Sequence, residues 1–189
     1  MTYKFLHTIM PSMRAFIAVP ISDEVKKNIE PFRKALEIDD VKTVEPENLH
    51  ITLFFLGEID ERRTMEIIAA MEKINAERFE LPFSGAGVFP NPNFIRVVWV
   101  GCESKELENI YGALAPSISK MGYKLEDFRA HLTIARVKGP AAKEKVKEVI
   151  VRFKDANFGA CTVDRIVLFK STLTPKGPIY EEVFAKMLR

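Results

Sequence analysis

Apolar positions along this chain recur with two different periods, and the switches between them divide it into strands and helices. Residues 14–19 form a compact apolar run ended by Pro20, the pattern of a buried strand. Ser22-Asp23-Glu24 opens a helix whose apolar stripe is Val25, Ile29, Phe32 and Leu36. A turn region at 44–47, carrying Pro46, leads into a strand over 49–56 closed by Gly57. Asp60 is placed to cap a second helix with its stripe at Met65, Ile68, Met71 and Ile74. Two extended stretches, 79–89 and 94–101, flank the turn signal Pro90-Asn91-Pro92-Asn93. Ser104 caps a third helix, with Leu107, Ile110, Leu114 and Ile118 on one face, Pro116 inside it and Met121-Gly122 at its close. Residues 131–137 read as a strand stopped by Gly139-Pro140. A charged amphipathic helix over 141–153 follows, then strands around 158–169 and 179–184.

The order strand, helix, strand, helix occurs at 14–19, 23–37, 49–56 and 60–76, and again at 94–100, 104–121, 131–137 and 141–153. Two split β-α-β halves, largely antiparallel, accommodate this repetition better than one parallel sheet. The expected architecture is therefore α+β: two pseudo-symmetric lobes, each a mostly antiparallel sheet with helices on its outer side, and an active-site cleft between them. The length of 189 residues fits one such bilobal domain over 13–189, with 1–12 as an N-terminal extension. Those first residues lack the basic and apolar regions of a signal peptide.

Composition narrows the partners. A formal charge of +2 argues against a bulk polyanion binder, so any nucleic-acid contact should be local, at an end or a single nucleotide. No window approaches a membrane span, and the expectation is a monomer without membrane association. Cys102 and Cys161 are too few and too far apart for a metal knuckle or a disulfide framework. Both are expected in strands as small apolar residues, in a reducing, cytoplasmic compartment.

Chemistry enters with two near-identical words, His50-Ile51-Thr52-Leu53 and His131-Leu132-Thr133-Ile134, 81 residues apart at equivalent places in the two halves. They use two of the three histidines of the chain; the third, His7, has no threonine at i+2 and reads as a bystander. Strand alternation puts His50, Thr52 and Phe54 on one face, with Ile51, Leu53 and Phe55 on the apolar side. His131, Thr133 and Ala135 oppose Leu132 and Ile134 in the same way. Two imidazoles can supply a proton acceptor and a proton donor near neutral pH, and two neutral hydroxyls can hold phosphate oxygens. No Asp, Glu, Cys and His cluster has metal-ligand spacing, so the expected chemistry needs neither metal nor cofactor.

With Met13-Arg14-Ala15-Phe16-Ile17-Ala18-Val19-Pro20, Arg96-Val97-Val98-Trp99-Val100-Gly101, Phe128-Arg129-Ala130-His131 and Leu168-Phe169-Lys170-Ser171-Thr172-Leu173 around these words, the chain resembles the two-histidine phosphoesterase superfamily. In particular it is similar to the RNA 2′,3′-cyclic phosphodiesterases, also called 2′-5′ RNA ligases. Ala130 stands where relatives commonly carry proline. The resemblance covers 13–189 and implies hydrolysis of RNA 2′,3′-cyclic phosphate ends to 2′-phosphates, with ligation as the reverse reaction. It implies His50 as proton donor, His131 as proton acceptor, and Thr52, Thr133 and Arg136 on the phosphate. Single-stranded RNA ends, tRNA halves among them, are the implied partners. The near-symmetry of the two words leaves the acid and base assignment open from sequence alone.

Arg136 lies five residues after His131, an odd offset that alternation sends to the wrong face; a bulge must bring it round. Phe16, Phe54 and Tyr123 are candidates for stacking a terminal base. Lys42, Lys170 and Lys176 are candidates for drawing in a phosphodiester backbone, and Trp99 reads as core. Two other readings use the same residues: a non-catalytic module that binds RNA ends, and a phosphodiesterase acting on a small cyclic nucleotide.

Overall fold

A computed structural model describes residues 12–125, 127–175 and 177–189. His7 and Lys176 lie outside the described residues. Nine strands and four α-helices follow in the order β1 (Met13–Pro20), α1 (Asp23–Ala35), β2 (Val41–Thr43), β3 (His50–Ile59), α2 (Glu61–Glu72), β4 (Phe79–Asn91), β5 (Phe94–Gly101), α3 (Lys105–Lys120), β6 (His131–Val137), α4 (Lys143–Phe153), β7 (Asn157–Val163), β8 (Arg165–Thr174) and β9 (Gly177–Met187). The capping signals hold: the side chains of Ser22, Asp60 and Ser104 each accept from backbone N–H groups in the first turn of α1, α2 and α3. Gly122, at φ +93°, lies just past the end of α3, a conformation that suits glycine.

The strands form two antiparallel sheets, β3-β1-β8-β9 and β2-β6-β5-β4-β7, so the two-lobed α+β expectation is borne out. The sheets meet where β3 lies against β6. Helices cover their outer faces, but with an exchange the repeat does not announce. Helix α1, which follows β1 of the first sheet, packs on β7 of the second, where Phe32 meets Phe153 and Phe158 at ring separations of 4.7 and 5.8 Å. Helix α3, which follows β5 of the second sheet, stacks Tyr111 on Phe54 of β3 at 4.5 Å. Each half thus contributes a helix to the other half's sheet, which ties the two motif strands into one packed body.

Several local expectations need correction. The buried face of α2 is Ile67, Ala70 and Met71, with Ile74 just beyond; Met65 is exposed. The stripe is rotated because Ile67 packs inward where the count placed Ile68. Residues 158–169 are not one strand: Asp164 separates β7 from β8, which belong to different sheets. The short strand β2 lies just before the turn region at 44–47, at positions to which the periodicity assigns no element. Cys102 follows β5 rather than lying in it; Cys161 lies in β7, and both are buried free thiols. No polar or charged residue is fully buried among the described residues, although parts of His50, Tyr180 and the Trp99 indole are enclosed, and no described helix is long and apolar enough to cross a membrane.

Candidate active site

Backbone register decides which side chains enter the cleft. In the β1–β3 pair, Pro20 faces His50, Ala18 faces Thr52 and Phe16 faces Phe55, with Leu53 left over as an extra residue between Thr52 and Phe54. Opposed residues of an antiparallel pair share a face, so the bulge at Leu53 reverses the parity beyond it. His50, Thr52 and Phe55 therefore share the cleft face, and Phe54 turns toward α3, where its stack with Tyr111 forms part of the cleft's margin. The β5–β6 pair repeats the device. Gly101, Trp99 and Val97 face His131, Thr133 and Arg136, and Ile134 is the extra residue between Thr133 and Ala135. Arg136 thereby joins the two polar residues of its word.

The cleft has a volume of about 570 Å³ and is lined by His50, Thr52, His131, Thr133 and Arg136 together. Each histidine is oriented by the backbone two residues before it. The Nδ1 of His50 lies 2.7 Å from the carbonyl oxygen of Asn48, and that of His131 lies 2.7 Å from the carbonyl oxygen of Arg129. A carbonyl can only accept, so Nδ1 carries the proton and donates it, which leaves each Nε2 for chemistry. The Asn48 side chain donates to the Pro178 carbonyl at 3.0 Å, pinning the segment before His50 to the start of β9. Neither threonine hydroxyl has a hydrogen-bond partner among the described residues, and both are half-buried at the cleft wall.

The two rings differ in their surroundings. His50 packs against Phe16 at 4.7 Å and edge-on to Tyr180 at 5.3 Å, whereas His131 meets Phe89 at 5.1 Å. Burial among these rings pushes the His50 imidazolium down from 6.5 to about 4, against the opposing bond to Asn48, and the nearby Arg136 cation adds to the depression. In the free protein His50 is therefore a neutral ring at physiological pH. The Tyr180 hydroxyl is pushed up by burial, and the Arg136 and Arg14 cations oppose that shift.

Two of the stacking candidates fail for a physical reason. Phe16 lies on the cleft face but is only 5% exposed beneath His50, Phe169 and Tyr180; Phe54 is 6% exposed and already stacked on Tyr111. Tyr123 is half-buried at the cleft rim, with the Arg63 guanidinium 5.8 Å from its ring centre. The aromatic that alternation consigned to the core, Phe55, is instead 72% exposed and lines the cleft. It stands five residues after His50 as Arg136 stands five after His131, so the offset that made Arg136 anomalous was the available signal for Phe55 as well. Trp99 is not core either: it is half-buried on the cleft side of its sheet, its ring filling the space over Gly87 and lying 5.2 Å from Phe89. Asn48 and Tyr180 had no sequence signal, since one acts through its carbonyl and the other arrives from β9. Of the lysines, Lys42 lines the cleft, whereas Lys170 pairs with Glu181 at 2.8 Å.

Two sheets that each bring a His-x-Thr strand to one cleft define a two-histidine phosphoesterase. A family model described as LigT like phosphoesterase matches residues 19–99 and again 100–180, one match for each half. The chain belongs to this family. It is 41% identical to the RNA 2′,3′-cyclic phosphodiesterase of Methanocaldococcus jannaschii, covering 90% of this chain and 98% of that one. It is 39% identical to the RNA 2′,3′-cyclic phosphodiesterase of Archaeoglobus fulgidus, with the same coverage of 90% and 98%. Among solved structures, TT0787 of Thermus thermophilus superposes with a TM-score of 0.81 at 28% identity, over 94% of this chain and 98% of that one.

Proposed function

We propose that the protein hydrolyses RNA 2′,3′-cyclic phosphate ends to 2′-phosphates by acid–base catalysis between His50 and His131. The observation that carries this reading is the convergence of two Nε2 atoms and two unpartnered threonine hydroxyls on one cleft, each ring oriented by a backbone carbonyl. Likeness to curated RNA 2′,3′-cyclic phosphodiesterases along nearly their whole length supports the substrate. Both halves act as one catalytic unit, because each supplies one histidine.

In this mechanism Nε2 of His131 takes a proton from water as its oxygen attacks phosphorus. The bond from phosphorus to the 3′-oxygen breaks, and Nε2 of His50 delivers a proton to that oxygen, leaving a 2′-phosphate and a 3′-hydroxyl. Thr52, Thr133 and Arg136 hold the non-bridging oxygens as charge develops on them. His50 acts as the acid only when the bound anion restores its proton, so its protonation is coupled to substrate binding. Phe55, exposed and aimed into the cleft, supplies a stacking surface for the terminal base. Two buried free thiols suit a reducing compartment, and we place the activity in the cytoplasm.

The test is hydrolysis of an oligoribonucleotide ending in a 2′,3′-cyclic phosphate, in EDTA. The wild-type protein should turn it over with a bell-shaped pH profile. His50→Ala and His131→Ala should each lose about 10²–10⁴-fold and one limb of the bell. Binding without turnover, or variants as active as the wild type, would overturn the enzyme reading in favour of an RNA-end-binding module.

A further inference from the structure

Three cations that the acid–base mechanism does not use line the cleft, Lys42, Lys124 and Arg129, and of these Lys42 is the one held on a strand beside Arg136. Lys42 lies on β2, the edge strand of the second sheet, directly opposite Arg136 in the β2–β6 register. Opposed residues share a face, so Lys42 projects to the cleft side with Arg136. Its neighbour has the opposite parity: the Thr43 hydroxyl accepts from Arg33 of α1 at 3.2 Å, on the helix side. Lys42 is exposed, and its ammonium reaches the turn between β8 and β9, 3.8 Å from where a Cβ on Gly177 would stand. The charge therefore sits at the end of the cleft between the two sheets.

Neither Lys42 nor Arg136 has a carboxylate partner among the described residues. Some cations of the fold do find such partners, as in Lys26–Asp23 at 2.8 Å, Arg33–Glu30 at 2.7 Å and Lys105–Glu108 at 2.9 Å. Lys42, one strand beyond the Arg136 that holds the reacting phosphate, supplies a charge for a second anion at this end of the cleft. The register gives its distance from the first. Thr133 and Arg136 face Trp99 and Val97, two residues apart on β5, and Lys42 stands one strand farther on. Strand geometry then puts Lys42 roughly 8 Å from Thr133 at the backbone.

A substrate ending in a cyclic phosphate carries its next negative charge on the phosphodiester at the 5′-oxygen of the same ribose. A nucleoside 2′,3′-cyclic phosphate has no such group. We propose that Lys42, beside Arg136, takes this 5′-side phosphodiester and makes the protein selective for oligonucleotide ends over mononucleotides. The inference rests on the cyclic phosphodiesterase reading above and adds the substrate feature that this end of the cleft recognises.

The experiment compares kcat/KM on three substrates: adenosine 2′,3′-cyclic phosphate, the dinucleotide ApA ending in a 2′,3′-cyclic phosphate, and that dinucleotide with a neutral methylphosphonate linkage. The wild-type protein should prefer the charged dinucleotide to the neutral one by about tenfold, as a charge-assisted contact provides. Lys42→Gln should bring that ratio close to one, and Lys42→Arg should retain most of it. The salt dependence on the charged dinucleotide should also become shallower in Lys42→Gln by about 0.7 in log–log slope. A wild-type ratio near one, or a Lys42→Gln variant that keeps the ratio, overturns the proposal while leaving the phosphodiesterase reading in place. No turnover of any of the three by the wild type overturns both.

Discussion

Binding of an anion in the cleft should change the charge of His50, and the size of the effect follows from its surroundings. Burial against Phe16 and Tyr180, with the Arg136 cation nearby, holds its pKa at about 4 instead of 6.5. That displacement disfavours the imidazolium by roughly 3 kcal/mol. A single negative charge about 4 Å from the ring, at an effective dielectric of about 20, contributes about 4 kcal/mol in the opposite direction. One phosphate anion is thus enough to return His50 to its ordinary range and make it a competent acid. Binding at pH 6 should therefore take up close to one proton. The assay is calorimetric titration of the turnover-impaired His131→Gln variant with adenosine 2′,3′-cyclic phosphate, a diester that does not itself titrate near neutrality. Buffers of different ionisation enthalpy then report the proton count as a slope. A slope near one that disappears in a His50→Gln, His131→Gln double variant is the expected result. Enthalpies independent of the buffer would refute the coupling and remove His50 from the acid's role. In the free protein the same depressed pKa makes the unfolded chain the better proton binder between pH 6.5 and 4. This group's contribution to stability is therefore present at pH 7 and lost as pH falls through that window.

The two bulges make a pair of contrasting expectations for neighbouring phenylalanines. Phe54→Ala removes a 6%-exposed ring stacked on Tyr111 and should cost about 3–5 kcal/mol in urea unfolding. Phe55→Ala should leave unfolding within about 0.5 kcal/mol. It should raise KM for a purine-ended cyclic phosphate by about five- to a hundredfold, the range of a lost base–aromatic stack. Equal stability losses from the two would mean the bulge at Leu53 does not re-aim Phe55. Gly87→Ala would drive a methyl into the Trp99 ring and should shift Trp99 fluorescence along with a loss of stability; an unchanged spectrum and midpoint would refute that packing.

Much of the protein was legible in local patterns because local patterns report local physics. The stripe Val25, Ile29, Phe32, Leu36 and the stripe Leu107, Ile110, Leu114, Ile118 are all buried, and Ser22, Asp60 and Ser104 all cap, since 3.6-residue periodicity and cap chemistry depend on near neighbours. The repeated His-x-Thr words were sufficient to place four side chains on cleft-facing strands. Alternation then failed at one kind of place, the extra residue. Leu53 and Ile134 look like ordinary members of apolar strands, and nothing in their identity says that the partner strand will skip them.

Periodicity, capping and the doubled words were determined by the sequence alone, because each is settled within a few residues of chain. The tertiary structure decided what depends on partners far along the chain. Pairing with β1 and β5 set the bulges, and with them the exchange of Phe54 for Phe55 and the entry of Arg136 into the cleft. The arrival of β8 and β9 beside β1 buried His50 more deeply than its twin word would suggest. Pairing of β2 with β6 turned Lys42 from one lysine among many into a neighbour of Arg136. Parity in a strand is a local property only until the partner strand counts differently, and the count is made by the fold.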